Sequence, residues 1–161
     1  MRIKQIMTGG AAALALAGIL SSTMVFAASH STPESAAAKA RQSQMQLYAH
    51  NLGVLGGMAK GATAYDADTA QAAADNLAAL VALKQIGYWL PNSSTEDMEG
   101  TRALPAIWQA GSDVGAKGKA LADAVMAMQA AAGSLEGVQA SIGALGGACG
   151  ACHKAYRQPN N

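Results

Sequence analysis

Cys149 and Cys152 are the only cysteines of this 161-residue chain, and His153 follows them directly in "GGACGACHKAYRQPNN". The spacing C-x-x-C-H is that of covalent haem c attachment. In a helix, positions i and i+3 share a face, so both thiols can form thioether bonds to one porphyrin. His153, i+4 from Cys149, lies on that face and reads as the proximal iron ligand. Three other chemistries use such residues. A thioredoxin-like C-x-x-C wants a βαβ setting, which this pattern lacks. A structural zinc site wants four ligands; His30 stands in the leader and His50 lies off the apolar face of the first helix. A disulfide at this spacing within a helix is geometrically poor, and it leaves His153 without a role.

The elements that must present these residues are helical. Apolar residues recur at spacings of three and four, and no stretch alternates as a strand would. The first helix starts at "STPES", with Thr32 as cap and Pro33 in the first turn. Its face reads Ala38, Arg41, Met45, Tyr48, Leu52, Leu55 and Ala59, and it ends near "KGATAYD". The second spans about 66–86 and closes at Gly87. A long loop, "YWLPNSSTEDMEGTRALP", follows. The third spans about 106–131, and Gly133 ends it. Ser134 caps the fourth, whose face is Leu135, Val138, Ile142, Leu145, Cys149, Cys152 and Tyr156; Pro159 stops it. The expected fold is all-α, an antiparallel four-helix bundle. Glycines at 111, 115, 118, 143, 146, 147 and 150 read as points of close approach to the backbone.

The chain is 51% hydrophobic but 4% aromatic. Its core is therefore built from small residues and leaves room for a bulky apolar cofactor. The first 27 residues carry Arg2 and Lys4, then an apolar run from about Ala11 to Leu20, then small residues around Ala27. This reads as an export signal cleaved after Ala27; the run is short for a membrane span. The expected organisation is a signal peptide at 1–27 and one cytochrome domain at 28–161, exported to the periplasm and not held by a membrane. Removing Arg2 and Lys4 leaves nine basic residues against ten acidic ones, which gives no case for nucleic acid. Export also favours disulfides, which keeps that alternative for Cys149 and Cys152 in view.

With "ARQSQMQLYAHNLGVLGGMAKG", "TRALPAIW" and "CGACHKAYR", the chain resembles the class II cytochromes c, most of all the cytochromes c prime. The resemblance covers nearly all of the chain after the leader. It implies a periplasmic bundle with one covalent haem c, electron transfer with redox partner proteins, and homodimers through the first two helices. It also implies roles for three more residues. Met45 lines the distal side, where the matching residue either blocks the sixth iron position or, in low-spin relatives, ligates the iron; Met58, Met98, Met126 and Met128 are less well placed. Arg41, a charge on an apolar stripe, matches a residue beside a haem propionate, against the alternative of an arginine reaching water at the bundle end. Arg157 matches a cation beside the proximal imidazole, where it weakens the ligand's electron push; the alternative is a basic residue suited to a helix C-terminus. Trp89 and Trp108 flank the long loop and read equally as haem cover or core.

Two function classes follow. In one, the iron is five-coordinate under Met45 and binds small gases such as NO and CO. In the other, Met45 is the axial ligand of a six-coordinate electron carrier. An enzyme is not expected: no carboxylates converge, no nucleophile pairs with a base, and no polar residue faces the inferred distal pocket.

Overall fold

The computed structural model describes residues 31–159; the expected export signal lies outside the described residues. Each helix begins where the sequence supplies an acceptor for its free amides. The helix α1, Pro33–Ala59, is capped by Thr32, whose Oγ1 accepts from Ser35 N at 3.2 Å. The helix α2, Ala67–Ala82, is capped by Asp66 through Thr69 N at 2.8 Å. The helix α4, Leu135–Tyr156, is capped by Ser134 through Gly137 N at 3.1 Å. The helix α3, Val114–Ala131, follows Asp113, which makes no such bond.

The principal packing runs round a ring, α1 on α2, α2 on α3, α3 on α4 and α4 on α1. Gln44 meets Leu80 O and Asn51 meets Asn76, so α1 and α2 are antiparallel. Gln139 Nε2 donates to Ala59 O at 3.1 Å, joining the end of α1 to the start of α4. A three-residue link sets α4 against α3. All neighbours are thus antiparallel, as expected. Among the described residues no helix is long and apolar enough to cross a membrane.

The core is small in its residues. Leu55, Leu77, Met128, Leu145, Val125 and Val138 are its largest fully buried apolar side chains, and Ala70, Ala73, Ala74 and Ala132 fill the rest. Of the candidate methionines, Met58 and Met128 are buried here and Met126 is exposed. In the turn between α3 and α4, a Cβ at Gly137 would strike the Ala131 carbonyl, so only glycine fits there. At the seven glycines read as points of close approach, a Cβ would meet no atom of the chain within 4 Å.

Two boundaries differ from the sequence reading. The third helix starts at Val114, not near 106, because "LPAIW" forms a separate 3-10 turn at Pro105–Ile107 and Gly111 takes φ 86°, which breaks the run. The second stops at Ala82, because Leu83 turns extended at ψ 135°. Ile86 is left 90% exposed.

The buried stripe of α1 also differs. It passes through Ala37, Arg41, Gln44, Tyr48, Asn51, Leu55 and Met58, alternating steps of four and three. Met45 and Leu52 stand on its shoulder, and Met45 is 38% exposed. Gln44 and Asn51 are buried because backbone carbonyls satisfy their amides: Gln44 donates to Leu80 O at 3.0 Å and Asn51 to Leu47 O at 2.8 Å.

Candidate haem-attachment site

Cys149, Cys152 and His153 lie in the last two turns of α4, all half-buried. The thiols are free. Among the described residues no three His, Cys, Asp or Glu side chains gather as they would around a single metal ion. The three groups share a face but do not converge. That spread suits a flat macrocycle bonded at its edge and ligated at its centre, and it does not suit zinc.

Burial sets the protonation of this face. It pushes the Cys149 thiol up, and the neighbouring Cys152 adds to the push. Burial also pushes Cys152 up, with Lys117 opposing and Asp113 adding. His153 is pushed down by burial first, then by the cations of Arg157 and Arg102. The imidazole therefore stays neutral, with a lone pair free for a metal.

The end of α4 is strapped in place. Arg157 caps the helix, its N–H donating to His153 O at 3.0 Å, and it pairs with Ala103 in an isolated antiparallel bridge. Leu104 N donates to Tyr156 O at 3.0 Å. The Tyr156 hydroxyl donates to Asp113 Oδ1 at 2.6 Å and accepts from Asp113 N at 2.9 Å. These bonds fix the turn that carries His153 against the long loop and the start of α3. Tyr156, read from the sequence as packing, packs and bonds. Arg102 carries no motif in the sequence; its guanidinium donates to Gln158 O, which keeps it beside the end of α4.

The register between α1 and α4 brings the other candidates level with this face. Gln139 and Ala59 mark one end. Fourteen residues along each helix, about 21 Å at 1.5 Å per residue, stand His153 on α4 and Met45 on α1. Eleven residues along stand Gly150 and Tyr48. Tyr48, read as part of an apolar face, therefore brings a hydroxyl to the level of the cysteines. Burial pushes its phenol up, Gln44 opposes by donating to it, and Cys149 adds to the rise.

Arg41 is 5% exposed. Its Nη1 donates to Tyr88 O at 2.6 Å and Ser93 Oγ at 2.9 Å, and Nη2 donates to Ser93 O at 2.9 Å. Its Cζ lies 5.0 Å from the Trp89 ring centroid and 5.8 Å from that of Trp108. The two indoles are 6.4 Å apart, and Trp108 Nε1 donates to Trp89 O at 3.2 Å. Both tryptophans thus wrap a buried cation. Arg41 is not snorkelling to water, and none of its acceptors is charged, so the site keeps a cation available to an anionic group. Two paired thiols, a neutral imidazole and a buried cation are the donor set that a haem with propionates requires, and the residues fit it.

Known proteins agree with that chemistry. A family model described as Cytochrome C' matches residues 36–157. A cytochrome c-554 from Cereibacter sphaeroides is 44% identical over 119 residues, covering 73% of this chain and 78% of that protein. The solved cytochrome c' from Rhodobacter Spheriodes superposes with a TM-score of 0.76 at 36% identity, covering 79% of this chain and 98% of the other. Variants of cytochrome c prime from Alcaligenes xylosoxidans, solved with nitric oxide and with carbon monoxide, each give a TM-score of 0.67 at 35% identity over 79% of this chain and 97% of theirs. The chain therefore belongs to the cytochrome c' family, four-helix bundles that carry covalently attached haem c.

Proposed function

We propose that this chain is a periplasmic haem protein that exchanges single electrons and binds small diatomic gases such as NO and CO at a five-coordinate iron. The carrying observation is that Met45 on α1 and His153 on α4 stand at one level of the bundle. On this reading Cys149 and Cys152 hold the porphyrin edge by thioether bonds, and His153 is the proximal ligand. The haem supplies the redox chemistry and the gas-binding iron. Everything else belongs to the chain. Burial and the Arg157 and Arg102 cations keep the His153 imidazole neutral, and the bonds of Tyr156 and Arg157 fix the turn that carries it. Met45 crowds the opposite side without bonding, which its half-open position on the shoulder of α1 allows. Arg41 offers its cation to a propionate, and Arg157 places a charge beside the proximal imidazole. Export, by cleavage after Ala27, is part of the same reading. Exposed Leu47, Leu83 and Ile86, on α1 and just beyond α2, support a homodimer through that side. No enzymatic role is proposed.

The spin state of the iron and a Met45→Ala substitution test this. The parent should be high-spin, and Met45→Ala should stay so while binding carbon monoxide on the order of 10-fold faster, the effect of about 1.4 kcal/mol of lost crowding. A low-spin parent that turns high-spin on Met45→Ala makes Met45 the axial ligand, and the six-coordinate electron carrier replaces the gas binder.

A further inference from the structure

Tyr48 brings a hydrogen-bond donor that none of the roles above uses. Its ring packs against the buried cluster that includes Leu55 and Leu77, so it is held in place. Its hydroxyl oxygen accepts from Gln44 Nε2 at 3.2 Å. Gln44 is 6% exposed, and the same Nε2 donates to Leu80 O at 3.0 Å. An amide nitrogen has donors only. The phenol oxygen is therefore committed as an acceptor on the α2 side, and its own hydrogen must point elsewhere. Among the described residues that hydrogen meets no acceptor.

Where it can point follows from the register. Tyr48 stands level with Gly150, between Cys149 and Cys152, and one turn along α1 from Met45. Cys149 is near enough to add to the upward push on the phenol. With its oxygen turned to Gln44 and Cys149 close by, the hydroxyl stands beside the cysteine face of α4 with its hydrogen uncommitted.

We infer that Tyr48 is a hydrogen-bond donor on the α1 side of the haem, positioned by Gln44, and that it favours diatomic ligands whose outer atom accepts a hydrogen bond. The inference rests on the reading of an iron that is open to gases on that side. Gln44 acts through Tyr48 and touches no ligand itself. A hydroxyl here would give a pocket otherwise lined by thioether and hydrocarbon some power to discriminate, because an unpaired buried donor penalises a ligand that cannot accept from it.

The test uses the ferrous holoprotein with carbon monoxide as the probe, comparing the parent with Tyr48→Phe and Gln44→Leu. A donor to the bound gas lowers the C–O stretching frequency. Tyr48→Phe should raise that frequency, and carbon monoxide should leave about 5-fold faster, the net worth of one hydrogen bond. Gln44→Leu should split the infrared band, since the phenol would lose its fixed orientation. The unliganded optical spectrum of Tyr48→Phe should match the parent's, which separates a lost donor from a disturbed fold. A parent that refuses carbon monoxide overturns the open-iron reading, and the comparison then moves to the Met45→Ala background. An identical stretch and dissociation rate with and without the Tyr48 hydroxyl, in whichever background binds the gas, overturns the inference about Tyr48 alone.

Discussion

Arg41→Leu should destabilise the holoprotein by about 3 kcal/mol. The guanidinium ties α1 to the long loop through two bonds to Ser93 and one to Tyr88 O. Ser93 is fully buried, so its carbonyl would lose its charged donor where water does not reach. Its hydroxyl keeps its bond to Leu90 O, and Tyr88 is open enough to find water. A hydrogen bond to a charged group contributes roughly 1.5–3 kcal/mol; with the Ser93 hydroxyl still bonded to Leu90 O, the two Ser93 bonds stand near the low end of their sum, about 3–4 kcal/mol. The contacts with Trp89 and Trp108 add about 1. Against this, the variant no longer buries a charge, and burial already pushes the Arg41 pKa down; that relief returns roughly 1–2 kcal/mol. For a domain of this size the net loss corresponds to a fall in Tm of roughly 10 °C. The assay is urea and thermal unfolding followed by far-ultraviolet circular dichroism, with tryptophan fluorescence reporting the loop through Trp89. Arg41→Lys separates the clasp from the proposed propionate contact. It keeps a cation for the propionate but cannot make the forked contact, so it should lose most of the stability and little of the reduction potential. A loss below about 1 kcal/mol in Arg41→Leu would refute the clasp and leave Arg41 as a charge for the haem alone.

Two further outcomes test the site. Cys149→Ser together with Cys152→Ser should abolish covalent attachment, so that acid-acetone extraction strips all haem from the denatured variant; haem retained through extraction would refute the thioether assignment. Arg157→Ala should lower the reduction potential by roughly 10–40 mV, because an exposed cation beside His153 disfavours the more positive ferric state but is screened by solvent; an unchanged redox titration would reduce Arg157 to a helix cap.

Much of this architecture was legible because its determinants are local. Thr32, Asp66 and Ser134 cap their helices through residues three positions away, and a sequence displays that spacing. The C-x-x-C-H motif is likewise contained within one and a half turns. The failures came where distant backbone decides. Gln44 and Asn51 have no place in an apolar pattern, yet the carbonyls of Leu80 and Leu47 satisfy their buried amides, and the stripe that includes them leaves Met45 on the shoulder of α1. The start of α3 escapes the sequence because the apolar spacing runs unbroken through "LPAIW", while the left-handed backbone at Gly111 is invisible to a hydropathy pattern. Arg102 gave no signal, since its place beside His153 depends on a bridge between residues 103 and 157.

The α1–α4 register has a consequence in time. Met45 and His153 stand level in the bundle but more than a hundred residues apart in the chain. The first helix to emerge during synthesis must wait for the last before its side of the site has a counterpart. Closing so long a loop is entropically costly, and contacts of such separation form slowly. A haem bonded to the tail of the chain gives α1 a large apolar surface to collapse upon. Order of assembly would then run backwards along the sequence, with the last-made segment acting as the template on which the first-made helix finds its place.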